Sequence, residues 1–193
     1  GNKKAFHYKL SEMYAPILLG LDDAGNDNYK LWICNDKQRD IDGRIRIIVE
    51  DMRGNQMFAF SEVVDVKANS CYRFPKEIAI NMTERMKSDC YARIIFMEDD
   101  TVLSEKIHIF KYPKDMNFIE TQLEPKVTFV DGKYHLEFNS KVFVKDVFVS
   151  TTEAGEFSAN FFDVLPNVKK TIIFEPEDKK KKDLKFKVHT YNN

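Results

Sequence analysis

Glu156-Phe157-Ser158-Ala159-Asn160-Phe161-Phe162-Asp163-Val164-Leu165-Pro166-Asn167 brings aromatic burial, a polar pivot and a turn breaker into one passage from loop to strand. Successive strand residues face opposite ways, which sends Phe161 and Phe162 to opposite faces, and both are expected in the core. Leu165 is expected to bury at the strand's end, and Pro166 with Asn167 to turn the chain into the next strand, Lys170 to Glu175. Asn tolerates a left-handed turn position best after Gly, which suits Asn167 to that turn.

The flanking segments are also β. Val127 to Val130 and Tyr134 to Phe138 enclose Asp131-Gly132, a dipeptide suited to a type I′ hairpin. A two-residue turn pairs Phe129 with Tyr134 and Val127 with Leu136, and places all four on one face. Val142 to Ser150 is apolar on both faces and reads as a central strand, Thr171 to Phe174 as another, and Leu184 to Tyr191 closes the sheet. Lys179 to Lys182, beside Glu175, Glu177 and Asp178, reads as a solubilising hairpin tip.

Toward the N-terminus the same grammar repeats. Ile17 to Leu21, Tyr29 to Asn35, Arg44 to Glu50, Met57 to Val66, Ser70 to Phe74, Glu77 to Asn81, and the hairpin of Tyr91 to Met97 with Val102 to Tyr112 are strands. Thr83 to Lys87 reads as a single helical turn. Tyr29 to Asn35 is apolar on both faces, which predicts a covered strand with Trp32 in the core. Arg44 to Glu50 alternates, with Ile45, Ile47 and Val49 inside and a wet face of Arg44, Arg46 and Glu50. About seven short strands suit an immunoglobulin-like sandwich. Lys3 to Tyr14, with Phe6, Leu10, Met13 and Tyr14 on one stripe, reads as a short helix ended by Pro16. The fold class is therefore all-β: a helical lead-in over residues 1–16, then two consecutive immunoglobulin-like β-sandwiches over 17–114 and 115–193, with the seam near Lys114 to Glu124.

A chain of 193 residues accommodates two such domains, and 43% hydrophobic residues with 16 Phe supply two cores. A formal net charge of −1 leaves no electrostatic footprint for nucleic acid. No apolar run is long enough to span a bilayer. Gly1, with no Met before it, reads as the start of a fragment, so the compartment is hidden. Cys34, Cys71 and Cys90 are odd in number. The Cys34 to Cys90 spacing would suit an inter-sheet bridge, while a buried free Cys behaves as a small hydrophobe; both readings stay open.

Chemistry is scarce. His7, His108, His135 and His189 are scattered, and no His or Cys pair has zinc spacing. Asp22, Asp23 and Asp27, and Asp99 with Asp100, follow no EF-hand pattern and read as solvated turns. Asn81-Met82-Thr83 matches a short glycosylation acceptor that matters only in a eukaryotic secretory route. No nucleophile elbow and no phosphate-binding glycine loop occurs. Catalytic, metal and cofactor residues are therefore expected to be none. Aromatics are the remaining direct route to a ligand, since a sugar-binding module shows a flat aromatic platform beside polar side chains. Tyr72, Tyr91, Tyr112, Tyr134 and Tyr191 are the candidate surface rings.

Asn160-Phe161-Phe162-Asp163 followed by Leu165-Pro166 resembles the Asn-Phe-Phe-Asp-Leu-Leu-Pro-Gly signature in the C-terminal immunoglobulin-like domain of β-mannosidases of glycoside hydrolase family 2. Val164 stands where that pattern has Leu, and Asn167 where it has Gly. Lys4-Ala5-Phe6-His7-Tyr8 through Tyr14-Ala15-Pro16 resembles, more loosely, the passage by which these enzymes leave their catalytic barrel. The resemblance implies a parent that hydrolyses terminal β-linked mannose, with a non-catalytic fragment here that supports or positions the barrel. The upstream (β/α)8 barrel of the same parent is then the implied partner, and contact with a second subunit is open. A bacterial parent implies a periplasmic or secreted location. Retaining glycosidases need two carboxyl groups about 5 Å apart, and in this family the acid/base Glu follows an Asn. No Asn-Glu dipeptide occurs, so the resemblance places both catalytic residues upstream of Gly1. A module that grips mannan by itself, with a weak mannoside contact, or a cell-surface spacer, is the alternative.

Overall fold

The computed structural model describes Tyr8, residues 14–180 and residues 183–192. The helix expected over Lys3 to Tyr14 lies outside the described residues, apart from Tyr8, which is helical, and Tyr14, an exposed turn residue. Two compact units make up the chain: Tyr14–Asp51 with Asn55–Asn117, and Phe118–Asn193 with Met52–Gly54 and Tyr8.

The first unit contains β1 (Ile17–Gly25), β2 (Asn28–Asn35), β3 (Ile41–Asp51), β4 (Gln56–Val66), β5 (Ser70–Arg73), β6 (Ile78–Ala79), α1 (Glu84–Asp89), β7 (Cys90–Glu98) and β8 (Thr101–Ile109). One sheet runs β1-β2-β5 with β6 also on β2, and the other runs β4-β3-β7-β8. All these pairings are antiparallel. Leu19, Leu31 and Ile33 from the first sheet join Ile45, Ile47, Ile94 and Phe96 from the second in one core. Full burial of side chains this size contributes about 1.5–3 kcal/mol each. Buried Asn35 finishes β2, its amide donating to the carbonyls of Arg39, Val66 and Lys67 while its Oδ1 accepts from the Lys37 N–H. Helix α1 starts at Thr83, whose hydroxyl accepts from the Met86 N–H at 3.2 Å.

Two expectations for this unit are corrected, and the open question of its cysteines is answered by a third pairing. Strand β2 lies between β1 and β5, but only one face of it is covered. Tyr29, Leu31, Ile33 and Asn35 are buried, whereas Trp32 and Cys34 are half-buried on the other face. A two-layer sandwich covers each sheet once, so an apolar residue on the outer face stays partly wet. The wet face of β3 holds only in its first half, because Ile48, on the same face as Arg44, is also buried. The disulfide joins Cys34 to Cys71, not to Cys90. Cys34 and Cys71 are register partners on adjacent strands with Cα atoms 4.0 Å apart, while Cys90 is free and buried. Burial, with Asp51 and Asp89 nearby, pushes the Cys90 thiol up to about 11.

The second unit contains β9 (Lys126–Val130), β10 (Lys133–Phe138), β11 (Val144–Ser150), β12 (Gly155–Phe157), β13 (Phe162–Val164), β14 (Lys170–Pro176) and β15 (Lys187–His189). Its sheets run β12-β14-β10-β9 and β13-β11-β15. Asp131 and Gly132 take φ of 50° and 77°, as a type I′ turn requires, and Phe129 faces Tyr134 as Val127 faces Leu136. Tyr134 and Leu136 are buried, but Val127 is 41% exposed because β9 is an edge strand. Tyr134, Leu136, Phe138, Ile172 and Phe174 meet Val144, Val147, Val149, Phe162 and Val164 in the core. The Phe138 and Phe162 rings meet edge to face, 5.5 Å between centroids.

Candidate functional site

The Glu156 to Asn167 stretch closes one end of the β13-β11-β15 sheet through side chains that bond to backbone. Asn160, 6% exposed, accepts from the Val149 N–H through Oδ1 and donates to the Val149 carbonyl through Nδ2, both at 2.8 Å. Its amide therefore does for β11 what a neighbouring strand would do. Phe161 then takes φ of 57°, a left-handed conformation that is unusual for a bulky residue. That turn corrects the expectation that Phe161 and Phe162 lie on one strand in the core. Strand β13 begins at Phe162, which is buried, while Phe161 is half-buried and turned outward. Its ring stacks on Phe148 with centroids 4.8 Å apart, Phe148 stacks on His189 at 6.1 Å, and the Tyr8 ring lies 6.3 Å from Phe161. Burial, then the Glu156 charge, raises the Tyr8 hydroxyl above its ordinary pKa.

A bulge follows on the facing strand. Val144 pairs Val164 and Val147 pairs Phe162, which leaves Lys145 and Asp146 between the two pairs. Asp146 takes φ of 50° there. Asp163 Oδ1 holds the bulge by accepting from the Asp146 N–H at 2.9 Å and from Lys145 Nζ at 3.0 Å, and Lys145 Nζ also reaches Asp146 Oδ1 at 2.8 Å. Asn192 grips the other side. Its Oδ1 accepts from the Lys145 N–H, and its amide donates to the carbonyls of Ile119 and Phe143, each at 2.9 Å. Burial pulls the Lys145 ammonium down, but the Asp163 and Asp146 carboxylates outweigh it and hold its pKa above the usual lysine range. These charges are spent on holding backbone. The arrangement is a hydrogen-bonded clamp beside a row of aromatic rings.

Past the clamp, Asn167 takes φ of 59°, the left-handed position expected of it, and its N–H donates to the Ser140 carbonyl at 2.7 Å. Leu165, expected to bury, is only half-buried, while Pro166 is buried and bridges to Ser140.

The other candidates are dispersed. Tyr91 and Tyr134 are buried rather than at the surface, Tyr72 is half-buried, and Tyr112 and Tyr191 are exposed. Asp23 caps its own turn by accepting from the Gly25 N–H. Among the described residues no three His, Cys, Asp or Glu side chains gather as they would around a metal ion. Lys179 pairs with Glu175, whereas Lys181 and Lys182 lie outside the described residues, as does His7. A groove of about 450 Å³ in the second unit is lined by Leu123, Val127, Leu184, Phe186 and Val188 among others. Lys145, Phe148 and Asn192 were not singled out from sequence. Their roles depend on partners that are distant along the chain, and local pattern carries no signal for them.

His108 packs against Phe110 and Tyr29, and burial, with Lys106 nearby, lowers its pKa from the ordinary histidine value. Folding favours neutral His108, so the unfolded chain takes up its proton first as pH falls. The contribution is present above the unfolded pKa of about 6.5 and is lost as pH drops below it toward the lowered folded value. The melting temperature is expected to fall on acidification through that window, with a shallower slope in His108→Gln. Equal slopes in the two chains would refute the assignment.

Two antiparallel sandwiches in tandem, each with its own core, make this a pair of immunoglobulin-like domains. Residues 27–115 match the Mannosidase Ig/CBM-like domain, and residues 118–193 match the Ig-fold domain of mannosidases. The chain belongs to the immunoglobulin-like domains of the mannosidase family. A solved structure of the β-D-mannosidase from Dictyoglomus thermophilum superposes with a TM-score of 0.77 over 96% of this chain and 23% of that one, at 17% identity. At that identity the likeness establishes the shared fold. A stretch of 88 residues is 28% identical to the human intraflagellar transport protein 57 homolog, covering 42% of this chain and 20% of that protein. The chain thus spans about a fifth of the length of either relative.

Proposed function

We propose that this chain is the non-catalytic C-terminal part of a β-mannosidase whose upstream barrel hydrolyses terminal β-linked mannose. The observation that supports this reading is the order of the matches: a mannosidase Ig/CBM-like domain over 27–115, followed directly by a mannosidase Ig-fold domain over 118–193. In this reading the seam lies near residues 114–124, and the clamp around Asn160 and Lys145 keeps the Phe161, Phe148 and His189 rings set for packing on the parent. The two domains support and position the barrel. The Cys34–Cys71 bridge suits an oxidising compartment, which agrees with a periplasmic or secreted parent.

The test compares two chains on a chromogenic β-mannoside. The 193-residue chain is expected to release no chromophore above the buffer rate, while a chain extended upstream through the barrel turns the substrate over. Hydrolysis by the shorter chain would overturn the non-catalytic reading, and an inactive, folded, extended chain would overturn the β-mannosidase reading.

A further inference from the structure

Trp32 is the single tryptophan of the chain, and it stands mid-strand in β2, opposite Gly20 on β1 and Arg73 on β5. A Cβ at Gly20 would come within 1.9 Å of the indole Cε2 and 2.1 Å of Cζ2, so the ring lies down across the glycine instead of standing off the sheet. Glycine inside a strand costs stability and marks a close approach by another group. Here that group is the indole. Its N–H donates to Asp22 Oδ2 at 3.0 Å, which fixes the ring's orientation on its seat. Exposed Lys106, on β8, places Nζ 5.7 Å from the ring centroid.

An aromatic ring covering a cross-strand glycine accounts for the position of the indole. It leaves the polar groups around the ring unexplained. Among the described residues Asp22 Oδ1 accepts no hydrogen bond, and the side chains of Lys106 and Arg73 form neither a hydrogen bond nor a salt bridge. A half-buried flat ring thus has a carboxylate oxygen without a hydrogen bond next to its N–H, and a lysine ammonium over its face with no anionic partner.

We propose that this outer face of the β1-β2-β5 sheet binds a neutral pyranose, with Trp32 as the stacking platform, Asp22 accepting from the sugar hydroxyls and Lys106 donating to them. A pyranose has one apolar C–H face and a rim of hydroxyls that both donate and accept. It therefore needs a flat apolar surface bordered by an acceptor and a donor, and charged partners make those hydrogen bonds stronger. Opposite charges on Asp22 and Lys106 favour a neutral ring over an anionic one. Lys106 gives up a surface cation–π contact when the sugar seats, and its flexible four-carbon stem lets the ammonium swing to the rim. The site needs no particular activity in the parent, so it stands or falls apart from the β-mannosidase reading.

Because the chain has one tryptophan, its emission reports on this site alone. The 193-residue chain is titrated with mannotriose, cellotriose and maltotriose, following tryptophan emission and heat together. At least one trisaccharide is expected to give a saturable change at millimolar concentration. Asp22→Ala, at an exposed position, is expected to keep the melting temperature and weaken binding roughly tenfold, the loss of one charge-assisted hydrogen bond. Trp32→Phe, which keeps an aromatic ring for folding, is expected to lose most of the heat. Absence of both signals with all three sugars would overturn the site, as would binding that is unchanged in Asp22→Ala and in Lys106→Ala.

Discussion

Asn160→Ala is expected to destabilise the second unit by about 2–4 kcal/mol, because it leaves both the N–H and the carbonyl of buried Val149 without their partner. Val149 is 1% exposed, so water has little access to replace what the amide supplied. The hydrogen bond from the Phe161 N–H to Asn160 Oδ1 goes as well, and with it part of what holds Phe161 in its left-handed conformation. Asn160→Asp is expected to be worse still. A carboxylate can accept from the Val149 N–H, but its second oxygen then faces the Val149 carbonyl, which needs a donor. The acid must stay protonated to fit, so the Asp variant should lose further stability as pH rises above about 4, the unfolded value. Urea unfolding followed by circular dichroism reads both effects. For a unit of this size the Ala variant should melt roughly 10–20 °C lower. A shift under about 0.5 kcal/mol would mean the amide is replaceable, as surface positions are.

Local chemistry was legible where it is written in adjacent residues. Asp131-Gly132 names its own turn, Thr83 to Lys87 its helical turn, and Asn167 its left-handed position, since each depends on the conformation of a few neighbours. Alternation predicted which residues share a face, but it does not say which face a second layer covers. Trp32 shows the consequence. Its apolar neighbours Leu31 and Ile33 go to the core, and the same alternation puts Trp32 outside, on a sheet covered only once. The clamp was hidden for a different reason. Asn160 bonds across 11 residues, Asp163 across 17 to Asp146, and Asn192 across 49 to Phe143. A polar residue destined for a distant backbone group looks, in sequence, like any loop residue. Phe161 departs from the strand period because its positive φ breaks the alternation one residue before β13 begins.

Reduction of the Cys34–Cys71 bridge is expected to cost the first unit about 2–4 kcal/mol, the range for a loop of intermediate length released in the unfolded chain. The two residues are 37 apart in sequence, and they sit opposite one another in the β2–β5 register. The native sheet therefore holds the sulfurs together whether or not they are joined, and the covalent bond acts mainly by restricting the unfolded state. Strand β5 makes this concrete. It has four residues and, among the described residues, pairs only with β2, so its own hydrogen bonds are few and the bridge ties down a short edge. Cys71 is exposed, which leaves the bond open to a small thiol reductant. Buried Cys90 does not compete for either sulfur, since its thiol, pushed up to about 11, supplies little thiolate at neutral pH. A reductant should lower the melting temperature of the chain, and the paired variant Cys34→Ala with Cys71→Ala should show the same loss and no further response to reductant. A non-reducing peptide map is expected to recover Cys34 linked to Cys71. Recovery of a Cys34–Cys90 peptide would restore the inter-sheet bridge and overturn the pairing. An unchanged melt on full reduction would show that strand pairing alone supplies the order attributed to the bond.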